Sequence, residues 1–116
     1  ALTDKPARFF VTEIIREKVL LYYQQEIPYA VEVVVELFKE EADIIRIKSL
    51  IICERDTQKG IIIGHQGQAL KKVGSMARKD IERFFGKKVF LEMFVKVEKD
   101  WRNRDNLLRN FGYQLD

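Results

Sequence analysis

Four of the six glycines in this chain, Gly60, Gly64, Gly67 and Gly74, fall within fifteen residues. They frame the string Gly60-Ile61-Ile62-Ile63-Gly64-His65-Gln66-Gly67-Gln68-Ala69-Leu70-Lys71-Lys72. Glycine lets a backbone turn tightly and lie close to a ligand, because no Cβ intervenes. Gly64 and Gly67 bracket two polar residues, His65 and Gln66, ahead of an amphipathic stretch. The N–H groups of such a loop, with a helix N-terminus behind it, favour an anion such as phosphate. Lys71 falls one helical turn after Gly67, within reach of the same anion, and Lys72 adjoins it. The apolar run Ile61, Ile62, Ile63 offers a floor for bases.

Three phosphate-binding patterns compete for this segment. A nucleotide P-loop needs Gly-x-x-x-x-Gly-Lys-Ser/Thr, and a dinucleotide fingerprint needs Gly-x-Gly-x-x-Gly. Neither string occurs. The third is a Gly-x-x-Gly loop that clamps about four nucleotides by their backbone. Gly64 to Gly67 has that form, with Ile-Ile-Ile before it and a basic helix pattern after it. The competing structural reading is a loop whose glycines only permit helix packing.

Catalysis finds little support. The chain has one histidine and one cysteine, so paired-histidine metal sites, zinc-binding cysteine clusters and internal disulfides are excluded. His65 has no evident nucleophile or orienting partner, and reads as a loop contact. Cys53 lies near the end of an apolar strand and reads as a small core residue.

Charge is unevenly spread along the 116 residues. Residues 1–58 carry a net charge of −3 and residues 59–116 a net of +6. Seven cations (Lys71, Lys72, Arg78, Lys79, Arg83, Lys87 and Lys88) face only Asp80 and Glu82 in the stretch they span. A polyanion would find this half of the chain. No apolar run approaches the roughly 20 residues of a membrane span. Ala1–Arg8 has no basic segment followed by an apolar one, so it does not read as a signal peptide. The first residue is not Met, which suggests a piece of a longer or processed chain. The composition fits a reducing, aqueous compartment and one domain.

The elements that must position the loop follow from periodicity. Asp4 reads as an N-cap with Pro6 in the first turn of a helix. Val11, Ile15, Val19 and Tyr22 form its apolar stripe, widened by Ile14 and Leu21. Residues 31–38 read as a strand with Val31, Val33, Val35 and Leu37 on one face. Ile44–Glu54 reads as its hairpin partner, with Arg46 and Lys48 outward. Arg55–Lys59 reads as a polar connection, and residues 60–67 as a helical turn closed by the glycine loop. Leu70, Val73, Ala77, Ile81 and Phe84 mark a long amphipathic helix stopped by Gly86. Val89, Leu91, Met93, Val95 and Val97 alternate with polar and aromatic residues in a third strand. Trp101–Tyr113 reads as a helical tail with Leu107, Leu108 and Phe111 inward, anchored by Trp101. Phe9, Phe10, Phe84, Phe85 and Phe90 fall at spacings that place most of them in the core. The order is α-β-β-α-α-β with a short C-terminal helix over 100–116, an α+β fold in one domain spanning 1–116.

This order and several strings resemble a type II KH domain, and more narrowly the C-terminal domain of the Era family of bacterial GTPases. The strings include Glu26-Ile27-Pro28-Tyr29, Gln58-Lys59-Gly60-Ile61-Ile62-Ile63-Gly64, Ala77-Arg78-Lys79-Asp80-Ile81-Glu82 and Leu91-Glu92-Met93-Phe94-Val95-Lys96-Val97. The resemblance covers essentially the whole chain. It implies a three-stranded mixed sheet packed on helices. It implies single-stranded RNA as ligand, at the 3′ end of small-subunit ribosomal RNA, in ribosome assembly. The small ribosomal subunit is then the partner, the cytoplasm of a bacterium the location, and a monomer the expected state. The basic face over Arg78–Lys88 would permit weak contact with a membrane surface. In that family a GTPase domain precedes the KH domain, and GTP and Mg belong there; no cofactor is expected in this segment. The RNA-binding residues would be Ile62, Ile63, Gly64, His65, Gln66, Gly67, Leu70, Lys71, Lys72 and Arg78. Family members often place a lysine between the loop glycines, and His65 and Gln66 bring hydrogen bonds there instead. Aspartates at both Gly64 and Gly67 are expected to abolish binding and leave the fold intact. The alternatives are another type II KH protein, or a protein-docking module without RNA.

Overall fold

A column of small and β-branched residues at four-residue steps, Ala7, Val11, Ile15 and Val19, is wholly buried along the first helix. Such a column is one face of a 3.6-residue turn. The computed structural model describes residues 4–101. Helix α1 spans Asp4–Tyr22 and leads through a 3-10 turn at Ile27–Tyr29 into strand β1 (Glu32–Glu40). Strand β2 (Ile44–Cys53) returns antiparallel to β1. Helix α2 (Asp56–Ile63), a 3-10 turn at His65–Gly67 and helix α3 (Gln68–Phe85) then cross to strand β3 (Lys88–Val97). β3 lies parallel to β2, so the sheet has the order β1-β2-β3 and is mixed. A parallel neighbour demands a long crossover, and α2 and α3 supply it.

The helices cover one face of the sheet. Val73, Ala77 and Ile81 of α3 join the α1 column over Val33, Val35, Ile45, Ile47, Ile51 and Val89. Ser49 is buried among them, and its hydroxyl donates to the Glu92 carbonyl at 3.0 Å. Cys53 is also buried, and burial pushes its thiol up, so it packs as a neutral group. Gly86 ends α3 in the left-handed region (φ 65°) and donates its amide to the Glu82 carbonyl.

Several sequence expectations are corrected here. Leu37 is 43% exposed rather than inward. The register slips between Val35 and Leu37, and one extra residue reverses the alternation, so Phe38 packs on the core instead. Leu21 and Tyr22 are exposed, while Tyr23 is buried, because the four-residue step from Val19 lands on Tyr23. Asp4 lies within α1 and pairs with Arg8 at 2.8 Å. Arg55–Lys59 is no connection: its last four residues open α2, because Gln58 Oε1 accepts the amides of Glu54 (3.1 Å) and Arg55 (3.0 Å). Those bonds satisfy donors at a helix start. The aromatic residues are largely outside the core. Phe9, Phe10, Phe84 and Phe90 are exposed and Phe85 is half-buried. Phe10 and Phe84 stack across α1 and α3 at 4.9 Å, beside rather than within the buried columns.

The other sheet face holds a small cluster of Val34, Leu50 and Ile52 under Trp101. Trp101 is buried there, and the remainder of the expected tail, with Leu107, Leu108 and Phe111, lies outside the described residues. Among the described residues no helix is long and apolar enough to cross a membrane.

An ionic clasp ties α1 to α3. The Lys18 ammonium, largely covered, contacts Asp80 and also Glu17 (2.6 Å), and Asp80 is held in turn by Arg83. Lys18, then Arg83, hold the Asp80 carboxyl below the usual carboxylate range, and Asp80, then Glu17, raise Lys18 above the usual lysine range. A depressed carboxyl stabilises fully above its unfolded pKa of about 4 and loses this as pH falls through the folded value. A raised lysine stabilises fully below about 10.4 and loses this as pH rises through its folded value. Asp80→Asn should therefore cost about 1 kcal/mol in urea unfolding at pH 7. The gap to the parent should close as pH falls well below the carboxylate range; an equal gap at pH 7 and in strong acid would contradict the clasp.

Candidate nucleic-acid interface

Three positive φ angles are packed into four residues where α2 gives way to α3. Gly64 has φ 77° and ψ 177°, Gln66 φ 53° and ψ 29°, and Gly67 φ 74° and ψ 10°. The Gly64 conformation is one that only glycine adopts readily. A Cβ on Gly64 would also lie 2.6 Å from the Ala69 Cβ and 3.0 Å from its backbone nitrogen. Gly67 is left-handed with open space where a Cβ would be. The loop's own bonds use the amides of Gly64 (to the Gly60 carbonyl, 2.9 Å), Gly67 (to Gly64, 3.1 Å) and Gln68 (to His65). They do not use the amides of His65 and Gln66, whose side chains stand exposed at the tip.

The base of the loop is fastened by the residue that follows α1. The buried Tyr23 hydroxyl donates to the Ile62 carbonyl at 2.5 Å, in the last turn of α2. That carbonyl is one a helix end leaves without an internal partner. Burial pushes the Tyr23 hydroxyl up, so it stays a donor.

Beyond the loop an open groove of about 500 Å³ runs between α3 and β3. One wall is Gly67 followed on α3 by Leu70, Lys71, Gly74, Ser75 and Arg78, and the β3 wall is Leu91 and Met93. The helical spacing explains this wall: the positions recur every three or four residues, on the face beside Val73, Ala77 and Ile81. Gly74 lets helix and strand approach, since a Cβ there would lie 3.3 Å from the Met93 Sδ. Arg78 donates to Glu82 Oε1 at 2.9 Å, and Glu82 Oε2 accepts the Val89 amide at 3.0 Å. Arg78 is thereby held at the far end of the groove from the loop.

A protein-family profile described as "KH domain" matches residues 26–102. The chain belongs to the KH domain family. It is 50% identical over 117 residues to GTPase Era of Caldanaerobacter subterraneus subsp. tengcongensis, a match covering 99% of this chain and 39% of that protein. The crystal structure of a point variant of Aquifex aeolicus Era bound to GDP.AlF4- superposes with a TM-score of 0.85 at 40% identity, covering 99% of this chain and 39% of that one. A crystal structure of Era in complex with MgGDPNP and nucleotides 1506-1542 of 16S ribosomal RNA gives the same TM-score, identity and coverage. The chain thus spans about two-fifths of the length of these relatives.

Within this KH domain, Gly67, Leu70, Lys71 and Arg78 meet in one groove, whereas Gly64, His65 and Gln66, which precede Gly67 in the loop, and exposed Lys72 do not line it. Ile63 is half-buried beside the loop. Ile62 is elsewhere: its side chain is wholly buried, so it supports the loop from beneath and offers no surface to a ligand. Exposed Ile61 is the residue of the apolar run that faces outward. Gly74, Ser75, Leu91 and Met93 are groove residues absent from the set expected on sequence. The three-and-four spacing from Gly67 through Lys71 to Arg78 points to Gly74 and Ser75; pairing α3 with β3 needs the fold.

The two loop glycines are not equivalent, which corrects the expectation that aspartate at both leaves the fold intact. Gly64→Ala meets a backbone atom and a glycine-only conformation, and should cost more than about 2 kcal/mol. Gly67→Asn enters open space in a region asparagine tolerates, and should cost less than about 1 kcal/mol. Urea unfolding of both variants checks this; equal losses would contradict the loop geometry.

Proposed function

We propose that this KH domain is a non-catalytic module that holds about four unpaired nucleotides in the α3–β3 groove, and that it serves as the RNA-recognition part of a longer ribosome-assembly GTPase. The observation that carries the reading is the joining of a strained Gly-x-x-Gly loop to a groove with cations at both ends and apolar walls between. The amides of His65 and Gln66, with Lys71 and Lys72, suit the phosphates of a single strand. Leu70, Leu91 and Met93 suit the faces of unstacked bases. Phosphate contacts give affinity and register, and base edges give sequence preference.

The ligand we infer is the 3′ end of small-subunit ribosomal RNA, on the small subunit. Support comes from the Era structure in complex with nucleotides 1506-1542 of 16S ribosomal RNA, at 40% identity to this chain. GTP and Mg would be held by the remaining part of the longer protein, and a bacterial cytoplasm would be its location. Arg78, Arg83 and Lys87 are paired with Glu82, Asp80 and Glu40, so three of the five cations over Arg78–Lys88 are engaged, whereas Lys71 and Lys72 beside the loop have no ion pair among the described residues. That placement favours a strand in the groove over a membrane surface on Arg78–Lys88.

Fluorescence anisotropy at fixed salt tests the function. A short RNA copying the 3′ end should bind at least tenfold more tightly than a scrambled RNA, about 1.4 kcal/mol. Aspartate at both Gln66 and Gly67, where the backbone already tolerates left-handed residues, should lower that affinity at least tenfold with the fold retained. Equal binding of the two RNAs would reject sequence recognition, and no binding to either would favour a protein-docking module.

A further inference from the structure

Ser75 occupies an unusual position on α3. Lys71 and Lys72 lie four and three residues before it, and Arg78 and Lys79 three and four residues after it. On an α-helix those are its four nearest surface neighbours, with Cβ atoms about 5–6 Å apart. All four are cations, which places the Ser75 hydroxyl at the centre of a basic ring one turn deep on either side.

Further observations make this ring a site and not merely a charged face. Lys71, Ser75 and Arg78 line the groove, so the hydroxyl opens onto the cavity. Across the groove stand Leu91 and Met93, which bring no carboxylate to compete for the cations. The neighbouring Gly74 has no side chain to obstruct approach along α3. Of the acids nearest in sequence, Asp80 is engaged outside the ring, with Lys18 and Arg83, while Glu82 pairs with Arg78 within it and also accepts the Val89 amide. The Glu82 carboxylate takes one Arg78 Nη donor and leaves the others of the guanidinium for a ligand. The Ser75 hydroxyl itself has no hydrogen-bond partner among the described residues.

We infer that Ser75 is the centre of a second phosphate seat, separate from the glycine loop, in which its hydroxyl and the cations of Lys71 and Arg78 hold one phosphodiester group. The inference rests on the RNA-binding reading and deepens it. Gly67 and Ser75 are eight residues apart, about 12 Å along the helix. A strand gripped at both points is stretched along α3, with the bases between the grips turned toward Leu91 and Met93. Lys72 and Lys79 flank the seat and supply field without direct contact. The second grip sets the direction in which the strand leaves the loop.

Inorganic phosphate and the 3′-end RNA test the seat on the full 116-residue chain, with Ser75→Glu and Ser75→Ala as variants. In amide NMR spectra, phosphate should shift the Ser75 resonance of the parent saturably and leave the Ser75→Glu spectrum unmoved around residue 75. Ser75→Glu should bind RNA at least tenfold more weakly. Its slope of log affinity against log salt should be shallower by about 0.7, one phosphate contact on a single strand. Its melting temperature should not fall, because the new carboxylate meets four cations at helical spacing. Ser75→Ala, a good helix former, should bind RNA a few-fold more weakly and keep most of the slope. Parental RNA affinity and slope in Ser75→Glu would overturn the seat and leave the RNA reading standing. A phosphate response in a chain that binds no RNA would support the seat as a free-phosphate site and overturn the RNA reading. No response of Ser75 to either ligand would overturn the seat.

Discussion

The close approach of Gly64 to Ala69 is the constraint on which the candidate site depends. A single added carbon at Gly64 would stand 2.6 Å from the Ala69 side chain, so α2 and α3 meet at a corner that only glycine fits. That corner turns the chain with three positive φ angles and leaves the amides of His65 and Gln66, both exposed residues, outside the loop's own hydrogen bonds. It also aims α3 so that one face, Val73, Ala77 and Ile81, seals the core, while the next face opens on a groove against β3. The Tyr23 hydroxyl, from just beyond the end of α1, fixes the last turn of α2 beneath this corner. Loop, groove and core are thus consequences of one helix-to-helix junction.

Electrostatics follows the same division. On the outer flank of α3, Asp80 is taken up by Lys18 and Arg83, and Lys87 by Glu40. These pairs dock α3 to α1 and tie the start of β3 to the β1–β2 turn. The groove side keeps Lys71 and Arg78 among apolar and small residues. Arg78 is oriented by Glu82, whose second oxygen also caps the Val89 amide. One carboxylate therefore links the end of α3, the first residues of β3 and a cation in the groove.

The architecture is legible in the sequence because its signals are local and redundant. Four-residue columns mark α1 and α3, alternation marks β3, and Gly64 to Gly67 marks the loop. Sequence and structure part where a non-local event decides the outcome. The bulge that turns Leu37 outward and Phe38 inward depends on pairing with β2. The exposure of Phe9, Phe84 and Phe90 depends on which columns the sheet covers, and aromatic character alone does not reveal that. Gln58 turns a polar stretch into a helix start by accepting two amides. Within the site, the polar loop and Lys71 can be read directly, whereas the β3 wall of Leu91 and Met93 requires the sheet order. Ile62 departs from expectation because three adjacent isoleucines on a helix must face three directions, and only the middle one points wholly to the core.

Mapping the bound strand residue by residue is the most direct test of the central claim, that this groove binds single-stranded RNA. Amide and methyl NMR shifts would be followed as a short single strand from the small-subunit rRNA 3′ end is added to the labelled chain. The account predicts changes concentrated at Gly64–Gly67, along Leu70, Lys71, Gly74, Ser75 and Arg78, and at the side chains of Leu91 and Met93. Changes confined to the outer sheet face around Phe90 and Phe94, with the loop and groove silent, would contradict it.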